Sequence, residues 1–285
     1  MATSAGRTID QKGSAEALST IEDSDMRSVL VVVHDDEGET SRLQSAIDLA
    51  RALHGHLDCL ELYIPPLPPY EPGFNLARAE TIGADSALKA HRLVAASGVG
   101  FAWHKAAGDL ACVTRTAASA ADIVVLSTPG HLLYSDMRTA IGTTLVNSDK
   151  PILAVPVGTP GLRVNGEALI LWDGSKQAVS AMHAAMPLLR QARSVTLLEV
   201  DDGSLATPAR EAAAHLDARN ITARVRTDLA FGEKAGFVIL EQIKLLKPDY
   251  IVMGGFGHAR FIEGIFGGVT ERLLRDSPVP LFLKH

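Results

Sequence analysis

SVLVVVHDDEGE (Ser28–Glu39) and EALILWDGSKQA (Glu167–Ala178) share one pattern: an apolar run, an acidic residue at its end, then turn formers. Their aspartates, Asp35 and Asp173, lie 173 − 35 = 138 residues apart. The same offset joins HLDCLELY (His56–Tyr63) to SVTLLEVD (Ser194–Asp201). Further on, ADIVVLSTPGH (Ala121–His131) matches PDYIVMGGFGH (Pro248–His258) at an offset of 127. The closing pieces KPILAVPV (Lys150–Val157) and VPLFLKH (Val279–His285) also correspond. The offset shortens because the first copy carries IPPLPPYEPGFN (Ile64–Asn75), whose five prolines cannot join a sheet interior. That insertion reads as a stiff intradomain loop over a sheet edge, with a Pro-rich recognition element as the alternative.

Each copy alternates apolar runs with helix-period segments. In the second copy the runs are Ala168–Trp172, Val195–Val200, Ile221–Arg226, Tyr250–Met253 and Leu281–Leu283. Runs apolar at nearly every position predict strands buried on both faces, as in a parallel sheet. Between them Lys176–Ala192, Thr207–Ala218 and Glu233–Leu246 carry apolar stripes at helical spacing, with a kink expected at Pro187. Such alternation predicts an α/β fold of two tandem doubly wound parallel sheets with right-handed crossovers. The expected organisation is a disordered polar tail over residues 1–27, a first domain over 28–157, a linker GTPGLRVNG over 158–166, and a second domain over 167–285.

The balance of 47 % hydrophobic and 21 % charged residues is that of an ordinary globular protein. A net charge of −6 without any Lys/Arg block argues against nucleic acid as a partner. The first 26 residues lack the apolar core of a signal peptide, and no run approaches the roughly 20 residues that span a bilayer. A cytoplasmic protein with no membrane partner is the expectation. Cys59 and Cys112 lie in apolar contexts without zinc spacing and read as buried free thiols in a reducing compartment. His54-x-His56 lacks a nearby third ligand and reads as a solvated turn. His104, His183 and His215 stand alone in sequence. No Walker A loop, HExxH helix or GxSxG elbow is present, so no catalytic residues and no metal ligands are predicted.

One region could hold chemistry. In an open parallel sheet, ligands gather beyond the carboxyl ends of strands where the strand order reverses. Asp173 ends the first strand of its copy, and Gly254 and Gly257 follow the fourth. Glycines there let backbone N–H groups approach a phosphate, and a helix starting near Gly267 would point its positive end at it. His258 and Arg260 would add positive charge, and Asp173 would suit a ribose hydroxyl or a base amine. Plain turn chemistry accounts for the same residues, because strand-to-helix turns use glycine in any α/β protein.

Asp173-Gly174-Ser175, together with Gly254-x2-Gly257-x9-Gly267 and the tail GGVTERLLRDSPVPLFLKH, resembles the universal stress protein family, and the likeness extends over both copies. The resemblance implies five-stranded sheets in order 3-2-1-4-5, related by a pseudo-two-fold axis. Pairing of Pro151–Val157 with Val279–Lys284 would make an intramolecular pseudo-dimer, with a homodimer as the other form. It implies ATP or a related adenine nucleotide along Asp173, the strand end near Val200, and the loop of Gly254, Gly257, His258, Arg260, Gly267, Gly268 and Thr270. Mg would enter only with the nucleotide. A stress-response regulator acting through protein partners follows, with at most slow hydrolysis or autophosphorylation. The alternative is a nucleotide-free interaction scaffold.

Two departures from the family pattern matter. Gly268 stands where the family places Ser or Thr, which removes a hydroxyl–phosphate contact worth about 1.5–3 kcal/mol. Thr270 lies two residues on. In the first copy Ser127 replaces the first glycine, Gly130 keeps the second, and the third falls on Arg138-Thr139 or Gly142-Thr143 according to alignment. The first domain is therefore expected to be degenerate, serving packing or a different ligand.

Overall fold

The computed structural model describes residues 26–63, 76–129, 135–201, 207–229, 235–255 and 268–285. Two compact units divide the chain, Met26–Leu162 and Arg163–His285. The N-terminal unit runs β1 (Ser28–Val33), α1 (Glu39–Ala52), β2 (His56–Tyr63), α2 (Leu76–Ala96), β3 (Phe101–Ala107), α3 (Leu110–Ala118), β4 (Ile123–Ser127), α4 (Ser135–Ser148) and β5 (Ile152–Val155). Its strands pair in parallel in the order β3-β2-β1-β4-β5. The C-terminal unit runs β6 (Glu167–Trp172), α5 (Lys176–Ala184), α6 (Met186–Leu189), β7 (Ser194–Asp201), α7 (Ala209–Asp217), β8 (Ala223–Leu229), α8 (Ala235–Leu246), β9 (Tyr250–Gly254), α9 (Gly268–Asp276) and β10 (Leu281–Lys284). It repeats the order as β8-β7-β6-β9-β10, again parallel. In both units the order reverses between the first and fourth strands, which is where a doubly wound sheet opens a crevice.

The Val/Ile/Leu runs explain which strands lie inside. Every residue of β1, β4 and β5 is buried, as is every residue of β6 after Glu167. Helices cover both faces of such strands, so no alternation survives in their sequences. The end strands differ: β8 is exposed over Arg224–Thr227.

Several local features correct the sequence reading. The third strand of the second copy starts at Ala223, because Ile221 turns back to donate to Leu216 O (3.0 Å). Pro187 breaks the expected long helix in two, α5 ending at Ala184 and α6 restarting at Met186; a residue without an amide proton cannot continue the ladder. Cys59 is buried, its thiol pushed up to about 12 chiefly by burial, but Cys112 is exposed on α3. Helical amphipathicity leaves one face of a surface helix wet, so an apolar neighbourhood in sequence did not bury Cys112. His54 adopts a left-handed conformation (φ 51°) in the turn after α1, as a solvated turn residue can. The proline-rich insertion Ile64–Asn75 lies outside the described residues.

Strand pairing also shifts the correspondence of the repeats. β1 starts at Ser28 opposite His56, and β6 starts at Glu167 opposite Ser194, an offset of 167 − 28 = 139. Asp173 therefore corresponds to His34, not to Asp35. The following helices start at Glu39 and Lys176, an offset of 176 − 39 = 137, so the first copy has a loop two residues longer. Arg42 then occupies the helical position held by Val179 in the second copy.

Candidate functional site

In the C-terminal unit β6 ends at Trp172, and Asp173 stands exposed just past it. Its Oδ1 accepts the amide of Ser175 (2.9 Å), an Asx turn, and no other hydrogen bond to the carboxylate is present among the described residues. Ser175 caps α5, its Oγ accepting from the Ala178 amide at 3.1 Å. Between them Gly174 takes φ 71°, and a Cβ there would stand 2.7 Å from the carbonyl oxygen of Thr207. Only glycine meets both demands.

Thr207 is held in place from two sides. Trp172 Nε1 donates to its carbonyl (2.8 Å), and Glu199 Oε2 accepts the amide of Ala209 (2.6 Å) at the start of α7. Glu199 is buried and also accepts from Thr227 Oγ1 (3.3 Å). A carboxylate at a helix N-terminus is favoured by the amide dipoles it faces. Val200, the next residue of β7, is half-buried and pairs with Asp228. The loop after β6 and the start of α7 are thus tied together beside Asp173. Trp172, Glu199 and Thr207 were not singled out from sequence; an acidic residue inside an apolar run was the signal for Glu199.

Gly254 closes β9. A Cβ on it would lie 2.7 Å from both the Ala178 amide nitrogen and the Gln177 carbonyl carbon. The glycine is therefore needed for the strand end to meet the start of α5. The Gly255 amide donates to Lys284 O (2.8 Å), and His285 Nδ1 lies 3.0 Å from Gly255 O. Gly257, His258, Arg260 and Gly267 lie outside the described residues. Gly268 opens α9, is exposed, and has nothing within 4 Å of a Cβ. Thr270, two residues on, is buried. Asp173, Gly254 and Val200 fall at the carboxyl ends of β6, β9 and β7, the same end of one sheet.

The N-terminal unit fills the equivalent crevice. Arg42, on the first turn of α1, is completely buried. Its Nε donates to Val32 O (2.6 Å), Nη1 to Asp36 Oδ1 (3.1 Å) and Ser127 Oγ (2.5 Å), and Nη2 to His34 O (3.2 Å). Nη2 also stands 3.1 Å from Asp36 Oδ2. Four of the five N–H directions of the guanidinium are thereby used in hydrogen bonds, and the group bridges the ends of β1 and β4. Asp36, one of the residues by which this loop is longer, supplies the countercharge. Gly38 lets the loop pass Ser127, since a Cβ there would lie 2.9 Å from Ser127 Cβ. Beside them Glu39 is buried, its carboxyl raised by burial against the opposing hydrogen bond from Ser86 Oγ (3.0 Å). Arg138, Thr139, Gly142 and Thr143, the alternatives for a third glycine and its hydroxyl, all lie inside α4.

The histidines that stand alone in sequence do not all stand alone in space. His183 on α5 and His215 on α7 bring their Nε2 atoms to 2.8 Å. Arg219 Nη1 lies 3.3 Å from His215 Nδ1 and can only donate, so that nitrogen is the acceptor. His215 then carries its proton on Nε2 and donates to His183. Burial, Arg219 and His183 together push the His215 pKa down to about 4. On the N-terminal unit His56 and His104 flank Asp58 at 3.4 and 3.9 Å. Among the described residues no group of three or more His, Cys, Asp or Glu is arranged to hold a metal ion, and no helix is long and apolar enough to cross a membrane.

Comparison with known proteins bears on the fold and the family. Residues 167–283 match the model of the Universal stress protein family. No curated protein matches the chain in sequence. Among solved structures, a universal stress protein from Archaeoglobus fulgidus DSM 4304 superposes with a TM-score of 0.68 at 17 % identity, covering 90 % of this chain and 95 % of that one. A protein of Pseudomonas aeruginosa UCBPP-PA14, provisionally described as a universal stress protein, gives 0.55 at 13 % identity, with 94 % of each chain covered. A universal stress protein solved in complex with cAMP is similar at a TM-score of 0.35 and 16 % identity, over 48 % of this chain and 99 % of that one. Residues 167–283 thus form a domain of the Universal stress protein family, and the N-terminal unit repeats the same five-stranded fold.

Proposed function

We propose that the C-terminal unit binds an adenine nucleotide, ATP or a relative, at the carboxyl ends of β6 and β9, and that the protein is a stress-response regulator working through protein partners. The observation that carries this reading is the exposed Asp173 carboxylate at the point where the strand order reverses. One of its oxygens is fixed by the Ser175 amide, and the other is left for a ribose hydroxyl or a base amine. The helix of that unit carries Val179 where the other unit carries Arg42, so no guanidinium from that helical position competes for the place. The nucleotide supplies the charged phosphates; Gly257, His258, Arg260 and Gly267 are the residues proposed to meet them. On this reading the chain takes one nucleotide, in its C-terminal unit, and the N-terminal crevice serves packing. The protein is proposed to be a switch, with turnover no more than slow.

A second reading, the nucleotide-free scaffold, is favoured by one specific observation. Gly174 and Gly254 both have packing reasons to be glycine, against Thr207 and against Gln177–Ala178. The test is mass spectrometry of small molecules released from freshly purified, denatured protein, followed by ATP titration calorimetry. Copurified adenine nucleotide, or binding at a stoichiometry of one that disappears in Asp173→Ala, supports the first reading. No release, and no heat up to about millimolar ATP (about −4 kcal/mol of binding free energy), would leave the scaffold.

A further inference from the structure

β8 stands at the end of its unit's strand order and pairs with β7. An edge strand exposes a row of unpaired backbone groups, and proteins blunt such edges unless they use them. This one is exposed from Arg224 to Thr227, and it carries two wet apolar side chains, Val225 at 43 % and Leu229 at 51 % exposure. Along the strand the side chains alternate. Arg224, Arg226 and Asp228 lie on one face, and Val225, Thr227 and Leu229 on the other.

That order is self-complementary. Set antiparallel to a second copy about a two-fold axis through Thr227, Arg226 faces Asp228 of the second copy and Asp228 faces its Arg226. On the opposite face Val225 meets Leu229 of the second copy, Leu229 meets its Val225, and the two threonines meet on the axis. Directly opposed opposite charges and β-branched or apolar pairs are the contacts that stabilise antiparallel strands. A two-fold contact uses the same patch twice, so one sequence satisfies both sides. Within one copy Arg226 Nε and Asp228 Oδ2 form an ion pair at 3.5 Å without a hydrogen bond. The corresponding end strand β3 lacks these properties. Its Lys105 and Trp103 are both bound to Glu61 of β2, at 2.9 and 2.7 Å, within the unit.

We propose that β8 is a homodimerisation edge, pairing antiparallel with β8 of a second copy of this chain in the register centred on Thr227.

The test uses the full chain in sedimentation equilibrium from about 1 µM to about 1 mM, a range suited to a small interface. A reversible dimer is expected. Arg226→Asp alone sets aspartate against Asp228, and Asp228→Arg alone sets arginine against Arg226. Each single variant should weaken the dimer by at least about ten-fold, since both symmetry-related pairs become like-charged. The double variant restores opposite charges in reversed order and should recover dimerisation, which a variant damaged in folding would not do. Thr227→Cys, in a Cys112→Ser background that removes the exposed native thiol, should form a disulfide-linked dimer under mild oxidation. A wild-type monomer at the top of the range would overturn the proposal. So would a dimer that the single variants leave unchanged, a double variant that fails to recover, or a Thr227→Cys dimer that does not cross-link.

Discussion

Replacing Arg42 by Val puts into the N-terminal unit the residue that the C-terminal unit carries at the same helical position, and the structure sets the size of the effect. The guanidinium makes four hydrogen bonds, to Val32 O, Asp36 Oδ1, Ser127 Oγ and His34 O, and a second contact to the Asp36 carboxylate, all without solvent exposure at Arg42. Removing one partner of a buried ion pair leaves the other charge uncompensated, at about 3–5 kcal/mol. Asp36 itself is nearly buried, at 10 % side-chain exposure, so most of that range applies. With a slope of about 2 kcal/mol/M in urea, the midpoint should fall by about 1.5–2.5 M. The assay is selective because the chain has two tryptophans, Trp103 in the N-terminal unit and Trp172 in the C-terminal one. In a Trp172→Phe background, Trp103 fluorescence follows the N-terminal unit alone. Removing both charges, as Arg42→Val with Asp36→Ala, should recover at least half of the loss, because no lone carboxylate then remains. If Arg42→Val alone leaves the Trp103 transition within about 1 kcal/mol of the parent, the guanidinium does not hold the crevice together and the reasoning fails.

Three further outcomes are expected. Gly254→Ala, whose Cβ would stand 2.7 Å from the backbone of Gln177 and Ala178, should cost about 1–3 kcal/mol in the Trp172-reported transition, the usual range for overpacking. Gly268→Ser meets open space and should tighten ATP about ten- to a hundred-fold in calorimetry by supplying the hydroxyl–phosphate contact; unchanged affinity would show that this position does not face a phosphate. His215 has its pKa lowered from 6.5 to about 4, by burial first and then by Arg219 and His183. Its contribution to stability is then complete above pH 6.5 and is lost as the pH falls towards 4, because the unfolded chain binds the proton first. The wild-type minus His215→Gln difference in urea midpoint should therefore shrink over that window, and a difference that grows on acidification would refute the reading that the fold holds His215 neutral.

The fold was legible because buried parallel strands write themselves as continuous apolar runs, and the repeat showed the pattern twice. Boundaries went astray where a local event broke that logic. Ile221 is apolar but folds back on Leu216, and Pro187 divides a helix whose apolar stripe runs straight through it. The alignment of Asp35 with Asp173 followed residue identity, whereas the ladder follows register and sets Asp173 against His34. At the site, Asp173 and the glycines were visible as types at turn positions. Arg42 was not, because a buried arginine reads in sequence like any helical surface arginine. Only the positions of Val32, His34, Asp36 and Ser127, brought together from 95 residues of chain (127 − 32), show what it does. The His183–His215 contact was hidden for the same reason, since its partners come from two helices.

The two units also separate what glycine at this place means from what binding would require. Each must bring the end of a fourth strand against the start of the helix that follows the first strand, and each solves it with a glycine on a different partner. The C-terminal unit puts Gly254 on the strand against Gln177 and Ala178, while the N-terminal unit puts Gly38 on the loop against Ser127. Glycine at either position is thus a packing requirement, and counting glycines cannot tell a nucleotide site from a turn. What differs chemically is the occupant of the strand-order reversal. One unit places there a fully buried arginine hydrogen-bonded to Val32, His34, Asp36 and Ser127; the other places Val179 and leaves Asp173 exposed. A fully buried cation already paired with Asp36 has little to offer a phosphate, whereas an exposed carboxylate can still receive a hydroxyl or an amine. If the protein binds a nucleotide, that asymmetry requires a stoichiometry of one and complete loss on removing Asp173, and two sites per chain would contradict it.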